Sequence, residues 1–508
     1  MAVKSRTVNS ARNASISFIG AIFGMLLQFI CRGVFVRMLS NEYLGLNGLF
    51  SDILNMLSLS ELGIGTAMSY AMYKPIADRN TEEIKSLMHL YKKMYTTIGT
   101  VIIVVGCSIT PFLQVFIKEM PDIPLIRLYY VMYVLNSGVS YFLVYKKTLI
   151  TCNQEEYIPT IVSSIFSVLS RLFQVVVLLI SRSFLLYLSV QILFSLGENV
   201  LNSYIADNKY PYIKEKDITP LAKVKYDEIK KNIKAMLMHK IGSVIVSGTD
   251  SIIISKLIGL VALGSFSNYN LIITTASSLI NRVFTSFTAS FGNLVASADR
   301  KRSLEVFDGM IFFSFWIYTF IATGFVCLIQ PFIAVWLGKH YLLDVSTVYV
   351  FAAYFFLGGM RNPALIMRNA TGTFYNDRYK ALLEAFVNLV VSIPLTIKFG
   401  IMGVKLGTIV SMLSVAIWIE GFVLYKYYFN ANVFGYYFKL FKYYIVALVI
   451  CALSVRLTSL ITGAGFAVMI LKGIICTVTV NGVIIAVFCR TKEFRMITEK
   501  IIKIVSKS

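Results

Sequence analysis

YIPTIVSSIFSVLSRLFQVVVLLI, running from Tyr157 to Ile180, decides the fold class. This predominantly apolar run exceeds the ~20 residues that a helix needs to cross ~30 Å of hydrocarbon, and its one charged residue is Arg171. Comparable runs recur on both sides of it, at 14–37, 43–73, 94–117, 125–149, 183–206, 233–256, 260–296, 305–336, 346–370, 378–398, 401–427, 436–460 and 466–489. A membrane β-barrel would instead show segments of ~10 residues with alternating polarity. Of the 508 residues, 57% are hydrophobic and 15% charged, and mean hydropathy is +0.72. A soluble surface of this size would not tolerate such a composition. The chain reads as an all-α integral membrane protein with about 14 transmembrane helices. The runs at 43–73 and 260–296 are too long for straight single crossings and are expected to protrude or tilt.

Lysine and arginine test this assignment independently, because short cytoplasmic loops carry the excess of positive charge. One set of connections holds the amino terminus, the segment Lys74 to Lys93, Lys146 with Lys147, the run Lys209 to Lys234, Arg300 to Arg302, Arg378 with Lys380, Lys426 to Lys442 and the tail Arg490 to Lys507. The alternate set offers isolated charges such as Lys118, Arg182, Lys256, Lys339, Lys398 and Arg456. The balance, roughly 30 against fewer than about 10, implies cytoplasmic termini and an even number of crossings. The amino-terminal segment is basic (Lys4, Arg6, Arg12), lacks a small-residue cleavage site and is expected to stay as the first helix.

The longest polar stretch, Asn208 to Lys234, contains Tyr210-Pro211 and Thr219-Pro220 and reads as a joint. The expected organisation is two pseudo-symmetric six-helix lobes, at 1–207 and 233–430, joined through 208–232, with two appended helices and a basic tail at 431–508. An internal echo supports the repeat: VFVRMLSNEYLG (Val34 to Gly45) and IISKLIGLVALG (Ile253 to Gly264) each place a basic residue before a Leu-Gly that opens the next helix.

The formal net charge of +22 would raise the question of nucleic acid in a soluble protein, but here the basic residues fall in short connections, so no nucleic-acid partner is implied. The seven cysteines are scattered singly, without a C-x-x-C pair or a Cys/His cluster, so neither a disulfide framework nor a metal site is indicated. No G-x-x-x-x-G-K-[ST], H-E-x-x-H or G-x-S-x-G motif occurs, and no cofactor is expected. The pattern is that of a transporter rather than an enzyme, driven by an ion gradient, the membrane potential or flux itself.

Ionisable residues inside the apolar runs are the candidates for function, because each Arg, Lys or Asp costs roughly 2.5–3.5 kcal/mol there. Arg32, Asp52, Glu61, Arg171, Glu198, Asp250, Arg282 and Arg361 all lie inside the runs. The four arginines together would cost on the order of 10–14 kcal/mol facing lipid, comparable to a protein's net stability. They are therefore hydrated, paired or ligand-facing. Guanidinium stays charged at any depth and offers forked donors to phosphate, so a cavity for an anion is one reading. An internal ion pair, such as Arg32 with Glu61, or snorkelling toward the interface, is the other. Glu61 and Asp250 are open to proton or sodium coupling and equally to fixed pairing. His239 and Lys240 open the seventh run, where a basic pair meets lipid headgroups or a substrate phosphate. Pro111, Pro159, Pro363 and Pro394 permit kinks.

EYLGLNGLFSDILNMLSLSELGIGTAMSYAMYKPIA (Glu42 to Ala77) and HKIGSVIVSGTDSIIISKLIGLVALGSFSNYNLI (His239 to Ile272) resemble the hallmark regions of Wzx-type polysaccharide repeat-unit flippases, within the multidrug/oligosaccharidyl-lipid/polysaccharide exporter superfamily. The resemblance runs over essentially the whole chain. It implies two six-helix lobes that open alternately to either face of the bacterial cytoplasmic membrane. The implied cargo is an undecaprenyl-pyrophosphate-linked oligosaccharide for capsule, O-antigen or exopolysaccharide synthesis, with membrane lipids, H+ or Na+, and a polysaccharide polymerase as further partners. It also implies that cations of the first and eighth helices line the cleft, which fall on Arg32 and Arg282; Arg171 and Arg361 match no motif. A cation-coupled multidrug extruder of the same superfamily is the nearest alternative, but usually has twelve helices and an acidic lobe. An integral-membrane polymerase or ligase is another, but needs a long outer loop. Arg32→Ala and Arg282→Ala are each expected to abolish export while the protein still accumulates in the membrane, measured by surface-glycan staining beside an immunoblot; normal glycan in both variants would discard the cleft assignment.

Overall fold

The computed structural model describes residues 23–58, 63–215, 217–297, 300–373, 376–463 and 465–505, without the side chains of 232, 234–241, 243, 247, 285–297 and 500–505. Hydrocarbon offers no partner to backbone N–H and C=O groups, so the apolar runs fold as helices that satisfy those groups internally. In chain order these are α1 (residues 23–38), α2 (Asn41–Leu57), α3 (Ile64–Ala77), α4 (Thr81–Ile109), α5 (Ile126–Cys152), α6 (Tyr157–Ser181), α7 (Phe184–Lys209), α8 (Lys223–Leu257), α9 (Leu260–Ser297), α10 (Arg300–Trp336), α11 (Val345–Met360), α12 (Asn362–Thr371), α13 (Lys380–Phe399), α14 (Ile401–Ser411), α15 (Ile417–Leu424), α16 (Phe434–Ser459), α17 (Phe466–Phe488) and α18 (Lys492–Val505). Among the described residues, nine helical stretches are long and apolar enough to cross a membrane. The run at 43–73 is divided into α2 and α3, each short of a full crossing, with Gly63 at φ 115° opening α3. The run at 260–296 is one helix, and the run at 346–370 breaks at Arg361, one residue before the Asn362-Pro363 that starts α12. Of the expected kink prolines, Pro363 sits in the first turn of its helix, Pro159 at the third position of α6, and Pro111 in a 3-10 turn after α4; Pro394 alone of the four lies in a helix interior.

The chain forms two compact units, Met1–Gly264 and Ser265–Ser508. In the first, α4 lies against α5, α5 and α6 each pack on α7, and α8 packs on α2 and α3. The polar stretch after α7 is bound back onto the same unit. Lys85 pairs with Glu215 at 2.8 Å, the Ser86 hydroxyl donates to the Thr219 carbonyl at 2.5 Å, Lys209 meets Glu155 at 2.6 Å, and Lys225 pairs with Glu83. These ties, with the packing of α8 on α2, hold the stretch expected as a joint at 208–232 to the first unit.

The echoed Leu-Gly segments meet inside this unit. Asn41 and Leu260 stand at equivalent places, four residues before Gly45 and Gly264. A Cβ at Gly45 would collide with the Leu260 carbonyl, and one at Gly264 with Asn41. Asn41 Nδ2 donates to the Val261 carbonyl at 2.9 Å. Each segment thus supplies the glycine that lets the other approach, as small residues do where helices pack without a hydrophobic driving force.

In the second unit α10 is the axis on which α11, α12, α16, α17 and α18 pack. Its aromatic face carries the core: Phe315 stacks on Tyr443 at 4.6 Å, and Phe488 closes on Phe312 at 5.3 Å. The helices expected as appendages at 431–508 therefore share the core of this unit. Replacing Gly45 by Leu is expected to lower stability by about 1–3 kcal/mol or more through overpacking, whereas Gly48→Ala, whose nearest new neighbour is 4.0 Å away, is expected to be neutral; thermal unfolding of the detergent-solubilised protein checks both.

Candidate functional site

Arg32 and Arg171, separated by more than a hundred positions in sequence, line one cavity of about 280 Å³ in the first unit. Helical spacing puts them there. Gln28, Cys31, Arg32 and Phe35 follow i, i+3, i+4, i+7 along α1, and Ser167, Ser170, Arg171 and Gln174 repeat that spacing along α6, so each helix turns one face toward the cavity. Tyr187 and Gln191 on α7, with Leu44 and Asn47 on α2, complete the wall. Among the described residues that line it there is no carboxylate.

The wall is held by its own hydrogen bonds. An Arg171 Nη1 donates to the Gly24 carbonyl of α1, Gln174 Nε2 donates to Gln191 Oε1 at 3.4 Å, and the Tyr133 hydroxyl on α5 donates to Asn47 Oδ1. Phe35 packs edge-on against Tyr187 at 5.2 Å and Phe184 at 5.9 Å, which fixes the face of α1 behind Arg32. Two arginines in the wall of one polar hollow make it basic, and the amide and hydroxyl neighbours can hydrogen-bond an anion or water there. The arrangement can hold a phosphate or pyrophosphate by forked hydrogen bonds. Sequence reading found both arginines but neither their meeting nor Ser167, Ser170, Gln174 and Gln191; the polar spacing around Arg171 was the signal that could have found the first three.

Arg361 has a different setting. Its guanidinium sits at the α11–α12 break and donates to Glu384 at 2.8 and 3.1 Å and to Glu420 at 2.7 and 3.2 Å. Lys380 also reaches Glu420 at 2.6 Å, and Arg368 reaches Asp377 at 2.8 Å. Three cations and three carboxylates balance. Of the readings open for Arg361, the structure places it in the ion pair, because Glu384 of α13 and Glu420 of α15 converge on it from sequence positions that no local pattern links.

Arg282 lies on α9 in the second unit and is exposed. Asp250 is buried in α8, and Glu198 pairs with Lys147 at 3.5 Å. Glu61 lies outside the described residues, as do the side chains of His239 and Lys240. Lys405, which the sequence reading passed over, is buried with its ammonium 4.1 Å from the centre of the Tyr354 ring and 5.2 Å from that of Phe266.

The model of a family described as polysaccharide biosynthesis protein matches residues 10–291, more than half of the chain and including Arg32, Arg171 and Arg282. No curated protein matches the chain by sequence. Among solved structures, the chain is similar to a lipid II flippase, MurJ, in an inward closed conformation, at 13% identity and TM-score 0.64 over 93% of this chain and 99% of that one. It is similar to an inward-facing multidrug resistance MATE family transporter of the MOP superfamily at 14% identity and TM-score 0.62, over 81% and 98%. A MOP superfamily transporter from Pyrococcus furiosus, with a binding pocket of reverse polarity, is similar at 13% identity and TM-score 0.53, over 82% and 95%. At these identities the likeness establishes a shared fold. Arg361→Ala is expected to leave two buried carboxylates short of a partner and to cost about 3–5 kcal/mol, seen as reduced membrane accumulation and a lower unfolding temperature, whereas Arg171→Ala is expected to accumulate normally.

Proposed function

Because the chain belongs to the polysaccharide biosynthesis protein family, we propose that it flips an undecaprenyl-pyrophosphate-linked oligosaccharide across the bacterial cytoplasmic membrane by alternating access, for surface polysaccharide assembly. The observation that carries this is the polar cavity in which Arg32 and Arg171 line a common space with no carboxylate among its described residues. The lipid tail stays in hydrocarbon while the pyrophosphate, too polar to cross alone, exchanges water for guanidinium forks and amides. Cationic drugs are poor occupants of the same space, since two like charges at close range raise their cost of entry. An inside-negative potential favours outward movement of the pyrophosphate by ~2.3 kcal/mol per charge per 100 mV, so no nucleotide is required.

The alternation of basic connections supports cytoplasmic termini. Arg282 extends the basic set within the second unit, His239 and Lys240 suit headgroups or an arriving phosphate, and Asp250 with Glu61 are the candidates for proton or sodium coupling. A polymerase acting on the outer face then consumes the delivered unit. Arg32→Ala and Arg171→Ala are each expected to lower export at least ~10-fold, the loss of one charge-assisted bidentate contact, with lipid-linked units accumulating on the inner leaflet; Arg171→Lys is expected to recover part of it. Surface-glycan quantification checks this, and wild-type levels in both alanine variants would remove the cavity from the transport path.

A further inference from the structure

A second cavity in the first unit, about 610 Å³ and separate in its lining from the arginine cavity, is built from tyrosine and hydroxyl side chains. Its volume falls in the ~300–1,000 Å³ range of small-molecule sites. Thr66, Ser69, Tyr70 and Tyr73 follow i, i+3, i+4, i+7 on α3, and Val144, Lys147, Thr148 and Thr151 do the same on α5, so two helices again turn one face each toward a common space. Between them α4 presents Tyr91 and Tyr95, whose rings meet edge-on at 4.5 Å and whose hydroxyls are 3.1 Å apart. The Tyr91 hydroxyl also lies 3.1 Å from Thr148 Oγ1. Gly65 lets α3 come close to these hydroxyls: a Cβ there would stand 3.2 Å from the Tyr95 hydroxyl and 3.3 Å from that of Tyr91.

Tyrosines near helix ends commonly anchor a protein at the membrane interface. Tyr70 and Tyr73, 67% and 55% exposed, fit that role by themselves. Tyr91 and Tyr95 do not, because they are buried and turn their hydroxyls onto the cavity wall. Charge separates the two cavities. Among the described residues lining this one the single charged side chain is Lys147, 3.5 Å from the carboxylate of Glu198, so these residues offer aromatic faces and hydroxyls with the one cation paired. Depth separates them too. Thr148 and Thr151 lie in the last turn of α5, whereas Arg171 is fourteen residues beyond the start of α6, which is ~20 Å along the bundle at ~1.5 Å per residue.

We infer that the tyrosine cavity is a saccharide subsite, holding neutral sugar rings of the cargo by stacking on Tyr70 and Tyr73 and by hydrogen bonds to the Tyr91, Tyr95 and Thr148 hydroxyls. The assignment rests on the flippase reading, and it places sugar recognition at the end of the unit that carries the basic connections. The test is saturation-transfer NMR on the full chain in nanodiscs with free maltose, lactose and N,N′-diacetylchitobiose as probes. At least one disaccharide is expected to receive saturation. The signal is expected to fall about threefold to tenfold in Tyr70→Ala and Tyr73→Ala, the size of one aromatic contact, and to vanish in Gly65→Leu, whose folding is checked by its unfolding temperature. Arg32→Ala is expected to keep it. No transfer to any probe, equal transfer in Tyr73→Ala and Gly65→Leu, or loss in Arg32→Ala would each overturn the subsite. Failure of the flippase reading is seen separately, as normal surface glycan in Arg32→Ala and Arg171→Ala.

Discussion

A guanidinium group in hydrocarbon must find water, an anion, a carboxylate or a backbone carbonyl, and this requirement bears on both units. In the second unit it is met by protein: Arg361 is gripped by Glu384 and Glu420, with Lys380, Asp377 and Arg368 completing a balanced cluster. Such a cluster holds the broken α11–α12 segment against α13 and α15, and breaking it leaves charges buried without compensation. In the first unit Arg32 and Arg171 line a polar hollow instead, among amides and hydroxyls. The same residue type is thus held by carboxylates in one setting and set in the wall of a polar cavity in the other.

The polar faces that build the cavities share one geometry. α1, α3, α5 and α6 each place four side chains at i, i+3, i+4, i+7 toward a common space. In a soluble protein that spacing marks the apolar face turned to the core. Here lipid takes the apolar residues, as the exposed Leu172, Phe173 and Val176 on α6 illustrate, and the buried face is free to be polar. The division of labour follows from charge. Arginines make the lining of one cavity basic, and tyrosines with threonines make that of the other rich in hydroxyls.

Apolar runs determined the helical membrane fold from the chain alone, because hydrocarbon thickness and hydrogen-bond satisfaction act locally on each segment. The Leu-Gly echo was equally visible, since a glycine that permits close approach must stand at a set distance from the residue it meets; that Gly45 and Gly264 meet each other's segments was not. Arg32, Arg171 and Arg361 were legible as costly residues, but their outcomes were not. Only the tertiary structure brought Arg32 beside Arg171, closed Glu384 and Glu420 on Arg361, carried the first unit through α8 and set the last helices on the face of α10. Insertion into a membrane reads a segment by its own composition, whereas pairing a buried charge depends on which helices become neighbours, and that is decided by side-chain packing between segments far apart in the chain.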